Sequence, residues 1–244
     1  EAFRWYRKAA EQGLVQAQYN LGDMYNQGRG VRQDYAEAFR WYRKAAEQGL
    51  VQAQYNLGDM YNQGRGVRQD YAEAFRWYRK AAEQGLVQAQ TDLGNGYAQG
   101  QGVRQDYAQA VQWYRKAAEQ GYAGAQVNLG LMYEQGQGVR QDYAQAVQWY
   151  RRAAEQGNAD AQVNLGLMYA NGQGVRQDYT QAVQWCRRAA EQGHAGAQFN
   201  LGVMYAEGRG VRQDLALAQE WFGKACQNGD QDGCDIYQRL KAGY

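Results

Sequence analysis

Seven tryptophans, Trp5, Trp41, Trp77, Trp113, Trp149, Trp185 and Trp221, stand 36 residues apart along the whole chain. A fixed period of this length marks an array of structural repeats, each of which can bury its apolar face only against its neighbours. Residues 1–54 recur unchanged as 37–90, and divergence begins at Thr91. The spacing predicts one repeat domain over 1–244: a half repeat at 1–12, full repeats at 14–49, 50–85, 86–121, 122–157, 158–193 and 194–229, and a closing helix at about 231–241.

Within a repeat the apolar spacing predicts two helices. Ala17, Leu21, Gly22 and Tyr25 form one stripe over 15–27, and Ala38, Trp41, Tyr42, Ala45 and Ala46 form another over 35–48. Gly28 and Gly30 between them permit positive φ, Asp34 is placed to cap the second helix, and Glu37 is placed to complete a capping box. Gln109, Gln145 and Gln181 take the Glu37 role later in the chain, and each second helix ends at a glycine (Gly49, Gly85, Gly121, Gly157, Gly193). The fold class is all-α, an α-solenoid of stacked helical hairpins.

Composition narrows the chemistry. Leu, Ile, Val and Phe number only 35, but a net charge of +2 and 14% aromatics, with 21 Tyr, exclude disorder. Pro and Ser are absent, and there are two Thr, one His and three Cys. A serine nucleophile, a Ser/His/Asp triad and a histidine pair for zinc are thereby excluded. No cofactor and no metal are expected, and no stretch is apolar for long enough to span a membrane. The chain opens at Glu1 inside a repeated motif, so it reads as a piece of a longer array whose edge invites end-to-end association with another copy.

The run Ala-x-x-x-Leu-Gly-x-x-Tyr-x-x-Gly-x-Gly-Val, followed by Asp-x-x-x-Ala-x-x-Trp-Tyr-x-Lys-Ala-Ala-x-x-Gly, is seen at Ala53 to Val67 and Asp70 to Gly85. It resembles the Sel-one-like repeat (SLR), a bacterial relative of the tetratricopeptide (TPR) repeat, and the resemblance covers the whole chain. It implies a right-handed superhelix acting as a non-enzymatic adaptor for a protein or peptide, with several family members linked to host interaction. It also implies that the first helices line a concave groove.

On that expectation the groove-lining positions are Tyr19, Asn20 and Asp23; Tyr55, Asn56 and Asp59; Thr91, Asp92 and Asn95; Val127, Asn128 and Leu131; Val163, Asn164 and Leu167; and Phe199, Asn200 and Val203. The groove is then acidic at its start and apolar in its last three repeats. Asparagine can donate to and accept from a peptide backbone. The Asn column also fits a tie between neighbouring helices, and the apolar residues also fit an inter-repeat core. Gly96 interrupts a methionine series (Met24, Met60, Met132, Met168, Met204), which marks the third repeat as a candidate for a bend or a ligand-shaped gap.

Arg32, Arg68, Arg104, Arg140, Arg176 and Arg212 repeat in the inter-helix loop and suggest an alternative, an anionic polymer. Each is followed two residues later by Asp, which favours solvated structural arginines over nucleic-acid binding. A hydrolytic or β-lactam-binding role, known from cysteine-rich SLR proteins, is the other alternative, although no Ser-x-x-Lys is present. Cys226 and Cys234 replace Ala190 and Gln198 of the preceding repeat, and their spacing resembles the Cys-x7-Cys bridge of secreted, cysteine-rich SLR proteins. A bridge there implies a periplasmic or secreted protein, and a reduced pair a cytoplasmic one. Cys186 stands where other repeats have Tyr or Phe and reads as a buried free thiol.

Overall fold

Each helical hairpin is built by local signals that the chain repeats. The first helix stops where Gly28 turns left-handed at φ +69° and returns its N–H to the carbonyl of Met24. Asp34 then caps the next helix, its carboxylate accepting from the N–H groups of Ala36 and Glu37 at 3.0 Å. Past that helix, Gly49 and Leu50 send their N–H groups back to Ala46 and Ala45, which closes the turn into the next hairpin.

A computed structural model describes residues 2–242 of the chain. Among them are fourteen helices and no strand: α1 (Ala2–Glu11), α2 (Val15–Gln27), α3 (Tyr35–Glu47), α4 (Val51–Gln63), α5 (Tyr71–Glu83), α6 (Val87–Gln99), α7 (Tyr107–Glu119), α8 (Ala123–Gln135), α9 (Tyr143–Glu155), α10 (Ala159–Asn171), α11 (Tyr179–Glu191), α12 (Ala195–Glu207), α13 (Leu215–Gln227) and α14 (Gln231–Lys241). They fall into two compact units, one up to Gln120 and one from Gly121 onward. In the first, α1 to α7 pack in chain order; in the second, α8 to α14 do the same. Each unit is an all-α solenoid of stacked hairpins. Among the described residues no helix is long and apolar enough to cross a membrane.

Stacking is carried by small residues that let aromatic rings lie flat. A Cβ added at Gly58 would come within 2.7 Å of the Tyr78 ring, so only glycine admits the ring against α4. Leu57, Leu93, Leu165 and Leu201 are fully buried beside the alanine pairs of the second helices, each contributing about 1.5–3 kcal/mol. Trp77 packs against Ala45 and Ala46 of the preceding hairpin and Leu57 of its own, and the ammonium of Lys80 lies 4.1 Å from the centre of its ring.

Two features depart from the sequence expectations. The capping box is only half formed: the N–H of Asp34 donates to the carbonyl of Tyr25 at 3.0 Å, and the Glu37 carboxylate pairs with Arg40 at 2.9 Å. The loop folds the cap residue onto the end of the previous helix, so its N–H is already satisfied. The second feature is a buried amide ladder. Gln54 is 5% exposed, donates to the carbonyl of Ala46 at 3.3 Å and accepts from the side chain of Gln84 at 2.8 Å. Gln18 and Gln90 repeat the arrangement in the first unit, and Gln162 and Gln198 in the second, where Asn228 replaces the last glutamine donor. A polar side chain at an invariant, buried position is tolerated because its amide is paired on both sides.

Candidate functional site

The outward stripe of each first helix begins with the residue that follows the buried glutamine, and the structure sends this residue into the stack. Thr91, Val127 and Val163 are buried, which corrects their expected place on a groove surface. Thr91 turns its hydroxyl to the carbonyl of Val87 at 2.8 Å, and Val127 and Val163 join the cores around Tyr150 and Cys186. The same register puts the rings of Tyr19 and Tyr55 against Tyr42 and Tyr78, with centroids 5.7 and 5.6 Å apart, and Phe199 against Phe222 at 5.6 Å. Packing within a hairpin and against the next one therefore takes this position, and the tyrosine hydroxyls reach outward.

The next positions stay half-buried: Asn20, Asp23, Asn56, Asp59, Asp92 and Asn95 in the first unit, and Asn128, Leu131, Asn164, Asn200 and Val203 in the second, where Leu167 is 38% exposed. In the first unit they form a connected polar row. Tyr42 donates to Asp23 at 2.5 Å, Tyr78 to Asp59 at 2.6 Å and Tyr114 to Asn95 at 2.8 Å. Between successive first helices, Tyr55 donates to Asp92 at 2.8 Å, and the Asn56 amide lies 3.5 Å from the Tyr19 hydroxyl. Asn20 accepts from Gln16 of its own helix at 3.1 Å. The Asn column thus contributes ties as well as exposed amide surface.

Two adjoining clefts open along this row. One, of about 320 Å³, lies between α2 and α4 and is lined by Tyr19, Asp23, Tyr42, Asn56, Asp59 and Gln63 among others. The other, of about 370 Å³, lies between α4 and α6 and includes Tyr55, Asp59, Asn62, Gln63, Tyr78, Asp92, Asn95 and Gln99. Gly96 lies in its wall, where Phe75 closes to within 2.9 Å of a Cβ placed on that glycine. Asp59 and Gln63 line both clefts. The hydroxyls of Tyr42 and Tyr78, together with Asn62 and the glutamines at the cleft mouths, were not among the residues expected there. The 19-residue offset from Asp23 to Tyr42 and from Asp59 to Tyr78 was the available sequence signal, obscured because these tyrosines also belong to the core stripe.

Burial raises the Tyr78 phenol far above its usual range, with the nearby Asp59 charge adding to the effect, and Tyr42 is raised by burial and by its bond to Asp23. Both are neutral donors. Burial also raises the Asp59 and Asp92 carboxyls, against the hydrogen bonds from Tyr78 and Tyr55 that favour ionisation. For Asp92 the folded state consequently holds a proton more tightly than the unfolded chain does. This contribution to stability is present below the unfolded carboxyl value and is lost as pH rises through the folded one. Asp92→Asn is expected to flatten the fall of the melting midpoint as pH rises from the ordinary carboxylate range toward neutral. The same pH slope in the variant would contradict the burial argument.

The second unit offers different chemistry. Tyr150 donates to Glu134 at 2.5 Å, and Arg151 donates to Tyr169 at 2.7 Å. Cys186 is buried and its thiol is pushed up to about 12 by burial, which leaves no thiolate at neutral pH. His194 caps α12, its Nδ1 accepting from Ala197 at 3.2 Å while Nε2 lies 3.1 Å from Asp160. The loop arginines Arg32, Arg68, Arg104, Arg140, Arg176 and Arg212 are all exposed. Among the described residues no three His, Cys, Asp or Glu side chains gather to hold a metal ion. Cys226 and Cys234 form a disulfide with Cα atoms 4.4 Å apart, joining the end of α13 to α14.

The chain is similar over 98% of its length to c5321, a protective antigen of uropathogenic Escherichia coli with an SLR fold, at 46% identity and a TM-score of 0.91. It spans 51% of that protein. A Sel1 repeat protein from Oxalobacter formigenes matches over 88% of this chain and 86% of its own, at 38% identity and a TM-score of 0.80. A third, from Klebsiella pneumoniae, matches over 83% of this chain and 99% of its own, at 28% identity and a TM-score of 0.54. No curated protein matches the chain. The Sel1 repeat model matches residues 1–14, 15–50, 51–86, 87–122, 123–158, 159–194 and 195–230, end to end along the array whose hairpins have just been described, and the chain belongs to the Sel1 repeat family.

Proposed function

We propose that this chain is a non-enzymatic scaffold that holds a peptide or protein segment against its first helices. The Sel1 repeat is a TPR-like fold of the kind that serves protein interaction. The observation that carries the reading is the pair of clefts on α2, α4 and α6, where half-buried carboxylates, amides and tyrosine hydroxyls, joined to one another in a polar row, also line open space. Such groups complement a peptide backbone and polar side chains, and nothing in the row supplies an activated nucleophile. The disulfide supports an oxidising compartment, periplasmic or secreted, and the likeness to an E. coli protective antigen supports a role in host interaction.

A library of random nonapeptides selected on the immobilised chain tests the reading. Peptides are expected to be enriched, and their affinity is expected to fall about fivefold or more on Gln63→Ala, an exposed change at the junction of both clefts. No enrichment over a bare surface defeats the proposal, as does unchanged affinity in the variant.

A further inference from the structure

The charge at positions 23 and 59 has no structural task that a neutral side chain would not perform, whereas Asp92 accepts at both carboxylate oxygens, from Tyr55 at 2.8 Å and from Asn95 at 3.3 Å. Asp23 and Asp59 each accept a tyrosine hydroxyl from the following second helix, and Asn95 stands in the same register and accepts from Tyr114 at 2.8 Å in the same way. An amide oxygen therefore suffices for the packing. Carboxylates at half-buried sites cost desolvation that asparagine avoids. Among the described hydrogen bonds, the tyrosines engage Oδ1 of Asp23 and of Asp59, and none is made to Oδ2 of either. These carboxylates keep acceptor capacity on the walls of the two clefts.

The surroundings of that capacity have the character of a cation site. The α4–α6 cleft contains Asp59 and Asp92 and no Lys, Arg or His in its lining, beside the half-buried ring of Tyr55 and the exposed ring of Tyr71. The α2–α4 cleft contains Asp23 and Asp59, with the exposed Arg65 as its one basic residue. A guanidinium or ammonium on an aliphatic stem fits both properties, since its stem packs on rings while its head pairs with carboxylate. The burial that raises Asp59 and Asp92 agrees with this, because an incoming cation would restore the lost solvation. In the second unit the Asp23 register is occupied by Leu131, Leu167 and Val203, so the feature belongs to the first unit alone.

Resting on the groove reading above, we propose that the two clefts each receive one basic side chain of an extended protein segment, with Asp23 and Asp59 taking the first and Asp59 and Asp92 the second. First helices of successive hairpins lie roughly 10 Å apart, and an extended chain advances about 3.3 Å per residue. The segment recognised therefore carries two Arg or Lys residues about three positions apart.

Fluorescence anisotropy with three labelled nonapeptides tests this on the full chain. One carries Arg at positions 1, 4 and 7 among Ala and Gly, one carries the same three Arg side by side, and one carries Glu at 1, 4 and 7. The spaced Arg peptide is expected to bind at least about tenfold more tightly than either of the others. Its affinity is expected to fall about tenfold or more in Asp23→Asn/Asp59→Asn, whose melting midpoint is expected to hold because Asn95 serves the same register. In the unaltered chain, raising salt from 50 to 500 mM is expected to weaken it steeply. Equal binding of the spaced and contiguous Arg peptides overturns the spacing, and a flat salt response or full affinity in the variant overturns the cation sites. If the Glu peptide binds as well as the spaced Arg peptide, the groove reading stands and this inference fails. If no peptide of any charge binds, here or in the random library, both fail.

Discussion

Gly66→Ala is expected to cost about 3 kcal/mol or more, while Gly85→Ala costs about 1–2 kcal/mol, although both glycines are left-handed. Gly66 has φ +69° and Gly85 has φ +94°, so alanine at either site is strained. The difference lies in what surrounds them. A Cβ on Gly66 would fall 2.1 Å from the carbonyl oxygen of Tyr35 and 2.4 Å from its carbon, both in the first turn of α3 in the preceding hairpin. Those atoms are backbone and have no rotamer to move away. A Cβ on Gly85 meets nothing within 4 Å. Gly66→Ala thus combines local strain with a forced separation of two hairpins, and in an array whose stability comes from neighbour contacts that separation is felt beyond one residue. Urea unfolding of the two variants beside the parent measures both costs. Equal costs would mean that the close approach of the loop to α3 is not a constraint on the stack.

Reduction of the Cys226–Cys234 disulfide is expected to destabilise the C-terminal hairpin by about 2.6 kcal/mol, from the entropy of closing a loop of about 9 residues. α14 packs mainly against α13, and its one fully buried residue is Gly233, so the disulfide adds to a one-sided contact. The loss should therefore concentrate there: amide exchange in α13 and α14 accelerates by nearly two orders of magnitude on reduction, while exchange in α8 to α11 changes little. Titration of the unreduced, denatured chain should find one thiol, that of Cys186, and three after reduction. Three thiols before reduction would remove the bridge, and with it the support for an oxidising compartment.

Much of this architecture was legible in the sequence because the chain states it repeatedly. Trp41 and its six counterparts set the period, Asp34 and Gly28 set the helix boundaries, and the buried stripes Ala17–Leu21–Gly22 and Ala38–Trp41–Tyr42–Ala45–Ala46 are those that helical spacing marks. The amide ladder through Gln54 was not legible as a core feature, since glutamine is ordinarily a surface residue and its two partners lie 8 and 30 residues away. The groove was legible only in part. Asp23, Asp59, Asp92 and Asn95 do line clefts, whereas Thr91, Val127 and Val163 are packed inside.

Periodicity alone determined that the chain is an array of helical hairpins, because a repeating apolar stripe at helical spacing can be buried in only one way, against the next copy of itself. Which side of each outward stripe meets water was decided by tertiary packing. The rotation of the two helices of a hairpin against each other turns Tyr55 and Val163 inward and leaves Asp59 and Leu167 on the surface, and that angle is set by rings lying on glycines of the partner helix rather than by any neighbouring residue in sequence.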